Sequence, residues 1–452
     1  MSNTKNMTSG VPIKLLVSFA LPLMFGNIFQ QLYTVVDTAI VGRGVGMPAL
    51  AALGAVDWLN WMLLGIASGF TQGYSVRIAQ AYGRQDWEGL KRVLGTSAVL
   101  SAAIALAVTV LAQVGLPVFL TLLRVPDDIR PMSLIYSRII MGGFPAVMFY
   151  NYGASCLRAV GDSKTPLSAM VAASITNIVL DCLAVFVLDW GIAGAAAATV
   201  FSQVLAGSIC AVKLTRTPLL RFGREQLGNN RPLRLNLVRI GAPIAIKNII
   251  IALGGMVIQS VVNGFDMSFI AGFTATNKLY GLLEIAALSY GYAITTYIGQ
   301  NYGAMRWDRI QKGMRAAVIL SLCTSGLIAA AMVLFGRQIT MLFISSESAA
   351  LAAAAGETAY QYLCTMSAAL PALYLLYAFL SALQGIGNTL SPMVSGILEF
   401  CLRVGLAMVV GYTGHQTGIF IAEVSAWIGA ALFLGLSYYR NYRKLKVREV
   451  WE

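Results

Sequence analysis

The sequence predicts an all-α polytopic membrane protein with twelve transmembrane helices arranged as two six-helix bundles. Three observations predict it. Hydrophobic residues make up 58% of the 452 residues and charged ones 11%, with mean hydropathy +0.72, whereas a soluble domain carries about 25% charged residues. Apolar stretches of about 20 residues or more, enough to cross a bilayer, recur along the whole chain. A Gln-x-Tyr-Gly-x-x-x-Trp pattern occurs twice, at Gln80–Trp87 and Gln300–Trp307, each time after a long apolar segment and before a basic one.

The apolar stretches fall near 15–41, 50–75, 93–116, 135–157, 167–188 and 191–213, then near 238–262, 271–298, 313–336, 358–383, 392–412 and 416–439. They are too long and too uniformly apolar for barrel strands, so helices satisfy their backbone groups in lipid. No secretory signal is expected. The first ten residues are polar, and the apolar run from Leu15 is too long for a signal core.

Charge placement orients the segments. The formal charge of +13 raises the question of nucleic acid, but most Lys and Arg fall in the tails and in every second loop. That alternation is the positive-inside signature and excludes the nucleic-acid reading. Basic clusters occur at Arg77/Arg84/Lys91/Arg92, Arg306/Arg309/Lys312/Arg315 and Arg440/Arg443/Lys444/Lys446/Arg448, while the loop at Arg124, Asp127, Asp128 and Arg130 is mixed. Both termini are therefore expected in the cytoplasm. The expected division is 1–213 for the first bundle, 214–237 for a basic cytoplasmic linker and 238–452 for the second bundle. The six cysteines are scattered through apolar segments with no metal-like spacing, and the lone His415 sits in a short loop, so neither a metal centre nor a cofactor is expected.

The repeat extends beyond the opening pattern. Ala20-Leu21-Pro22 recurs as Gly241-Ala242-Pro243, and Ala159 to Pro166 recurs as Gly385 to Pro392. Six is even, so both halves enter the membrane in the same sense and are parallel repeats. A site between two similar halves can open alternately to either side.

Several features together resemble the multidrug and toxic compound extrusion (MATE) family of antiporters. They are Val36-Asp37-Thr38-Ala39-Ile40-Val41-Gly42, the paired Gln-x-Tyr-Gly motifs, Arg158 to Asp162 with its partner, Gly194 to Thr199, and Glu399-Phe400-Cys401-Leu402-Arg403. Within the family the chain looks most like the bacterial branch of damage-inducible and Gram-positive multidrug members. Another branch places a membrane Glu eight residues beyond the seventh-segment Pro; here that position is Ile251. The resemblance implies a V of two bundles around a central cavity for amphipathic, usually cationic compounds. It also implies export driven by inward H+ or Na+, in a monomer of the inner (plasma) membrane.

Ionisable groups inside a bilayer helix cost about 2.5–3.5 kcal/mol on insertion scales, so each is a functional candidate. Repeat-equivalent positions sharpen the choice: Asp37 aligns with Ile258, Asn177 with Arg403, Asp181 with Ala407 and Thr199 with Ala426. Counted at about 1.5 Å per residue from Gly42, Asp189 and Gly191, the groups Asp37, Asp181 and Thr199 all lie roughly 7–12 Å below the outer surface. Asn177 shares a face with Asp181 at i, i+4. These four match the family's first-bundle cation site. Two carboxylates close together in a low dielectric do not both ionise easily, so the pair can hold a proton; with the Asn carbonyl and Thr hydroxyl they also offer hard oxygen ligands for Na+. The plain alternative is an Asp bonded to a neighbouring helix.

Asp57, Tyr33, Tyr74, Met148, Tyr150 and Glu284 are candidates for lining a substrate cavity, with core packing as the alternative for the aromatics. Glu284 is expected near the bilayer midplane as a counter-charge for a cationic substrate, and Lys278 is expected to pair with another helix. Glu399 and Arg403, at i, i+4, are expected to form a structural ion pair. Lys247 and Glu423 lie near segment ends and say little. A lipid-linked oligosaccharide flippase of the same superfamily is the alternative function. No His-Glu-x-x-His, Gly-x-Ser-x-Gly or Gly-x-Gly-Asp pattern supports an intramembrane enzyme.

Overall fold

The computed structural model describes residues 5–123, 125–228, 230–344 and 349–449. Arg124 and the side chains of Lys446 and Arg448, counted above among the loop charges, lie outside the described residues. Every regular element among them is helical, as the backbone of a chain in hydrocarbon demands. The first half contains α1 (Pro12–Gly44), α2 (Met47–Arg84), α3 (Trp87–Leu122), α4 (Arg130–Gly142), α5 (Phe144–Ala159), α6 (Lys164–Cys182) and α7 (Gly191–Arg216). The second contains α8 (Arg231–Val262), α9 (Met267–Gly303), α10 (Trp307–Met341), α11 (Ala349–Gly385), α12 (Leu390–Thr413) and α13 (Gly418–Glu449).

Ten helical spans are long and apolar enough to cross a membrane, and α4 with α5 makes an eleventh. The remaining long helix is α9, 37 residues with Lys278 and Glu284 on it, which falls short of that length-and-hydropathy criterion; it occupies the place of the remaining expected segment, near 271–298. Two spans differ from the uniform helices expected. The fourth bends by 42° between α4 and α5, where Gly143 precedes Phe144 and Pro145; the proline removes a backbone donor from the turn. The fifth ends as a π-helix, Leu183–Val187, starting two residues after Asp181. Such wide turns concentrate at functional sites.

The chain packs as two units. One comprises Met1–Met7 and Leu21–Ala245, the other Thr8–Ala20 and Ile246–Glu452. The boundaries differ from those expected at 213/214 and 237/238: residues 8–20 pack with the second unit, and the linker with the start of α8 packs with the first. Pro22 lies inside α1 and Pro243 inside α8, and the change of unit falls within three residues of each. A mid-helix proline costs the ladder a hydrogen bond and lets the two arms of a helix diverge.

The repeated motifs are the corners of this scaffold. Gln85 and Met305 adopt left-handed φ of 60° and 57°, and Tyr82 and Tyr302 meet Trp87 and Trp307 edge-on at 5.8 and 5.3 Å. Gly161 and Gly387 turn the chain at φ 87° and 89°, a region open to glycine. Beside them, Asp162 Oδ1 accepts the Lys164 and Thr165 N–H groups, and Asn388 Oδ1 accepts that of Ser391, satisfying the orphan donors at the starts of α6 and α12.

Lipid is as apolar as a side chain, so helices associate through close packing of small residues. In the first unit a Cβ on Gly69 would meet the Ala245 Cα at 2.5 Å, and one on Gly73 the Gly241 Cα at 2.5 Å. In the second unit an aromatic stack joins α9, α11 and α13: Phe273 on Tyr362 at 5.0 Å, Tyr362 on Phe420 at 4.5 Å and Phe420 on Phe269 at 5.6 Å.

A buried acceptor cluster in the first unit

α1, α6 and α7 bring together the four groups predicted for cation coupling. Asp37 on α1 is 8% exposed, Asn177 and Asp181 on α6 are 1% and 0% exposed, and Thr199 on α7 is half-buried. Asn177 Nδ2 donates to Thr199 Oγ1 at 3.5 Å. The Asp37 and Asp181 carboxyls lie close enough to interact directly, and Tyr33, one turn before Asp37, interacts with both. Next to the cluster is a cavity of about 10 Å³ lined by Tyr33, Met170, Ala173, Asn177, Thr199, Ser202 and Gln203; of the four predicted groups, Asn177 and Thr199 line it and the two aspartates do not. That is room for about one water or a comparably small ion.

Several polar atoms at and beside the cluster lack partners among the described residues, most of them acceptors, with the Ser202 hydroxyl among them. Asp37 Oδ1, Asn177 Oδ1, both Asp181 oxygens and Gln203 Oε1 are buried without a hydrogen-bond partner among the described residues. An unsatisfied buried acceptor costs about 1–3 kcal/mol, and several at one place call for a proton or a cation. Carboxylate, carbonyl and hydroxyl oxygens suit a hard cation such as Na+. Ser202 and Gln203, missed in the sequence, follow Thr199 at i+3 and i+4 and so share its face; that spacing is the signal that would have found them. Tyr136 of α4, also missed, is buried within electrostatic reach of Asp37, Asp57 and Asp181.

The other predicted residues fall elsewhere. Tyr74 is fully buried, Met148 and Tyr150 are 1% and 9% exposed, and all three belong to packed apolar cores of the first unit; their helical spacing reflects packing. Tyr33 lines the small cavity described above. Asp57 is exposed on α2. Glu284 is half-buried and accepts a hydrogen bond from Tyr377 of α11, so it is tied to a neighbouring helix. Lys278 is exposed and makes no ion pair among the described residues, contrary to expectation. The predicted Glu399–Arg403 pair is also corrected: Arg403 Nη2 pairs with Glu423 of α13 at 3.0 Å, and Glu399 Oε1 and Arg403 Nε are buried without a hydrogen-bond partner among the described residues. The local i, i+4 rule lost to a carboxylate on the adjacent helix.

Comparison with known proteins agrees with this architecture. "Probable multidrug resistance protein YpnP" of Bacillus subtilis is 28% identical over 436 residues, covering 96% of this chain and 94% of that one. "Probable multidrug resistance protein YoeA" of the same organism is 29% identical over 339 residues, 73% of each chain. A solved MOP superfamily transporter from Pyrococcus furiosus shares the fold with a TM-score of 0.91 at 24% identity, covering 99% of this chain and all of that one. The sequence matches the MatE family over residues 22–183 and 243–409, well over half its length. The chain thus belongs to the MatE family, whose members are membrane transporters rather than enzymes.

Proposed function

We propose that the protein is a secondary active antiporter exporting amphipathic organic compounds, cationic ones foremost, in exchange for H+ or Na+ by alternating access. The observation that carries this reading is the buried cluster of Asp37, Asn177, Asp181 and Thr199, in which Asp37 Oδ1, Asn177 Oδ1 and both Asp181 oxygens have no hydrogen-bond partner among the described residues. A proton bound there bridges the two carboxyls; a sodium ion takes the carboxylates, the Asn carbonyl and the Thr hydroxyl as ligands. Either neutralises two acids that otherwise repel in a low dielectric. Loading the site therefore favours whichever conformation keeps the carboxyls together, and unloading favours one that separates or hydrates them. The names of the relatives, multidrug resistance proteins, support the substrate class. The alternation of basic loops supports cytoplasmic termini in the plasma membrane. A lipid-linked oligosaccharide flippase gains no support from an acceptor-rich site.

The test is transport in proteoliposomes with the pH and sodium gradients imposed separately. One gradient should drive uphill movement of a cationic dye, and Asp37→Asn should abolish it. Uphill movement with neither gradient, or wild-type pumping by Asp37→Asn, would overturn the reading. Orientation is checked in a cysteine-free background with single cysteines at 127 and 228. An impermeant thiol reagent added to intact cells should label 127 and spare 228.

A further inference from the structure

The linker between the halves is docked onto the first unit. Its single 3-10 turn, Arg224–Leu227, packs on α3, where a Cβ on Gly95 would meet the Gln226 carbonyl oxygen at 2.5 Å. Residues of α3, of this turn and of the start of α8 line a pocket of about 360 Å³, among them Arg92, Thr96, Glu225, Gln226 and Asn230. That volume suits a small ligand.

The lining offers donors whose other ends are already occupied. Gln226 Oε1 accepts the Gly223 N–H at 2.8 Å and Asn230 Oδ1 the Leu233 N–H at 3.0 Å, which leaves each amide its NH2 group. Thr96 is 2% exposed, yet its hydroxyl makes no hydrogen bond among the described residues. The hydroxyl of Ser97 beside it bonds the Val93 carbonyl in the ordinary helical way. Arg92 uses only its Nε, on the Glu88 carbonyl at 3.4 Å. Arg92 and Glu225 share the pocket but form no ion pair, with each other or with any described residue. A cation and a carboxylate held apart on one wall complement a ligand that carries both signs.

The second half shows that packing does not ask for this set. By the register of Trp87 on Trp307, Arg92 corresponds to Lys312 and Thr96 to Ala316. Lys312 is paired with Asp308 at 3.9 Å, and Ala316 has no hydroxyl. The level of the pocket points to the occupant. Trp87, exposed five residues before Arg92, marks this end of α3 as a membrane–water boundary. Val99, three residues beyond Thr96 and on its face, is an exposed apolar side chain, as are Leu227 and Leu235.

We propose that this pocket binds a phospholipid headgroup of the phosphoethanolamine class. Arg92, the Thr96 hydroxyl and the two amide NH2 groups hold the phosphate through charge-assisted hydrogen bonds. Glu225 takes the ammonium, and the acyl chains follow Val99 and Leu235 into the bilayer.

The experiment is native mass spectrometry of the full chain in detergent, with phosphatidylethanolamine and phosphatidylglycerol of identical acyl chains in competition. One ionic contact at a headgroup is worth about fivefold in affinity, so wild type should retain the ethanolamine lipid over the glycerol lipid by about that factor. Glu225→Gln should erase the preference, and Arg92→Gln should weaken retention of both lipids. Both side chains are exposed, so neither change threatens the fold. Equal retention of the two lipids by wild type, or a preference that survives Glu225→Gln, overturns the proposal. Free phosphoethanolamine distinguishes the sources of the headgroup: it should fail to displace the lipid at equal concentration, and displacement would overturn the assignment to lipid in favour of a soluble zwitterion. Binding here requires no transport, so the outcome is separate from that of the antiport reading.

Discussion

Asp181→Asn should make the protein more stable while abolishing coupled transport. Four acceptor atoms of the first-unit cluster, Asp37 Oδ1, Asn177 Oδ1 and both oxygens of Asp181, are buried without partners among the described residues. Each such atom costs about 1–3 kcal/mol. The substitution keeps the side chain's shape, deletes one of the four and supplies an NH2 group beside Asp37. It also removes one of two repelling charges. Relief of even one orphan gives a gain of about 1–3 kcal/mol, a large fraction of the stability of an ordinary domain. The assay is thermal unfolding in detergent at alkaline pH without sodium, where both acids are ionised, alongside antiport in proteoliposomes. The variant should melt higher than wild type and fail to pump. A lower melting midpoint would show that the acids are satisfied in some other way, and the acceptor argument would fail with it.

Arg403→Met should destabilise the protein by about 3–5 kcal/mol by stranding Glu423; the double variant with Glu423→Leu should melt well above it. Gly69→Ala, which forces a Cβ to 2.5 Å from Ala245, should cost about 1–3 kcal/mol, whereas Gly54→Ala, with nothing within 4 Å, should be neutral or stabilising in the same melt. Asp266 caps α9, accepting the Phe269 N–H at 3.0 Å and the Gln416 amide at 2.7 Å; Asp266→Ala should cost about 0.5–2 kcal/mol. Hydrogen bonds from Ser268, Phe269 and Gln416 hold its pKa down from 3.8 to about 2. Its contribution is therefore complete above the ordinary carboxylate range and is lost as pH falls from about 4 to 2. The melting difference between wild type and Asp266→Ala should close over that interval.

The spans, the duplication and the acceptor cluster were legible in the sequence because each rests on a constraint that acts locally. A bilayer dictates length and apolarity, and a buried Asp at a position where the other half has Ile258 or Ala407 needs a reason of its own. What was not legible depends on which neighbour a side chain meets. Arg403 had a carboxylate one turn away on its own helix, yet pairs with Glu423 across the helix interface. Tyr74, Met148 and Tyr150 had the right character to line a cavity, but an aromatic or Met at helical spacing reads the same whether it faces a cavity or a core, and these three lie in the packed cores of the first unit. The bend at Gly143 was hidden because a Gly-Phe-Pro step within an apolar run changes geometry without changing hydropathy.

The division of α1 near Pro22 and of α8 near Pro243 bears on how the chain is made. Thr8 to Ala20 are synthesised before the rest of the unit to which they belong, and Arg306 and Arg309 bond the carbonyls of Thr8 and Gly10. Leader and anchor are separated by nearly three hundred positions. The opening stretch must therefore wait, unpaired with its final neighbours, until α10 has been synthesised. Closure of so long a loop slows assembly, so the second unit cannot be finished by its own half alone. In the same way, the first unit draws its last strip of packing from the arm of α8 that precedes Ile246. A cut in the linker would leave two fragments, each missing a piece carried by the other, which ties the two halves of the duplication together as a single folding unit.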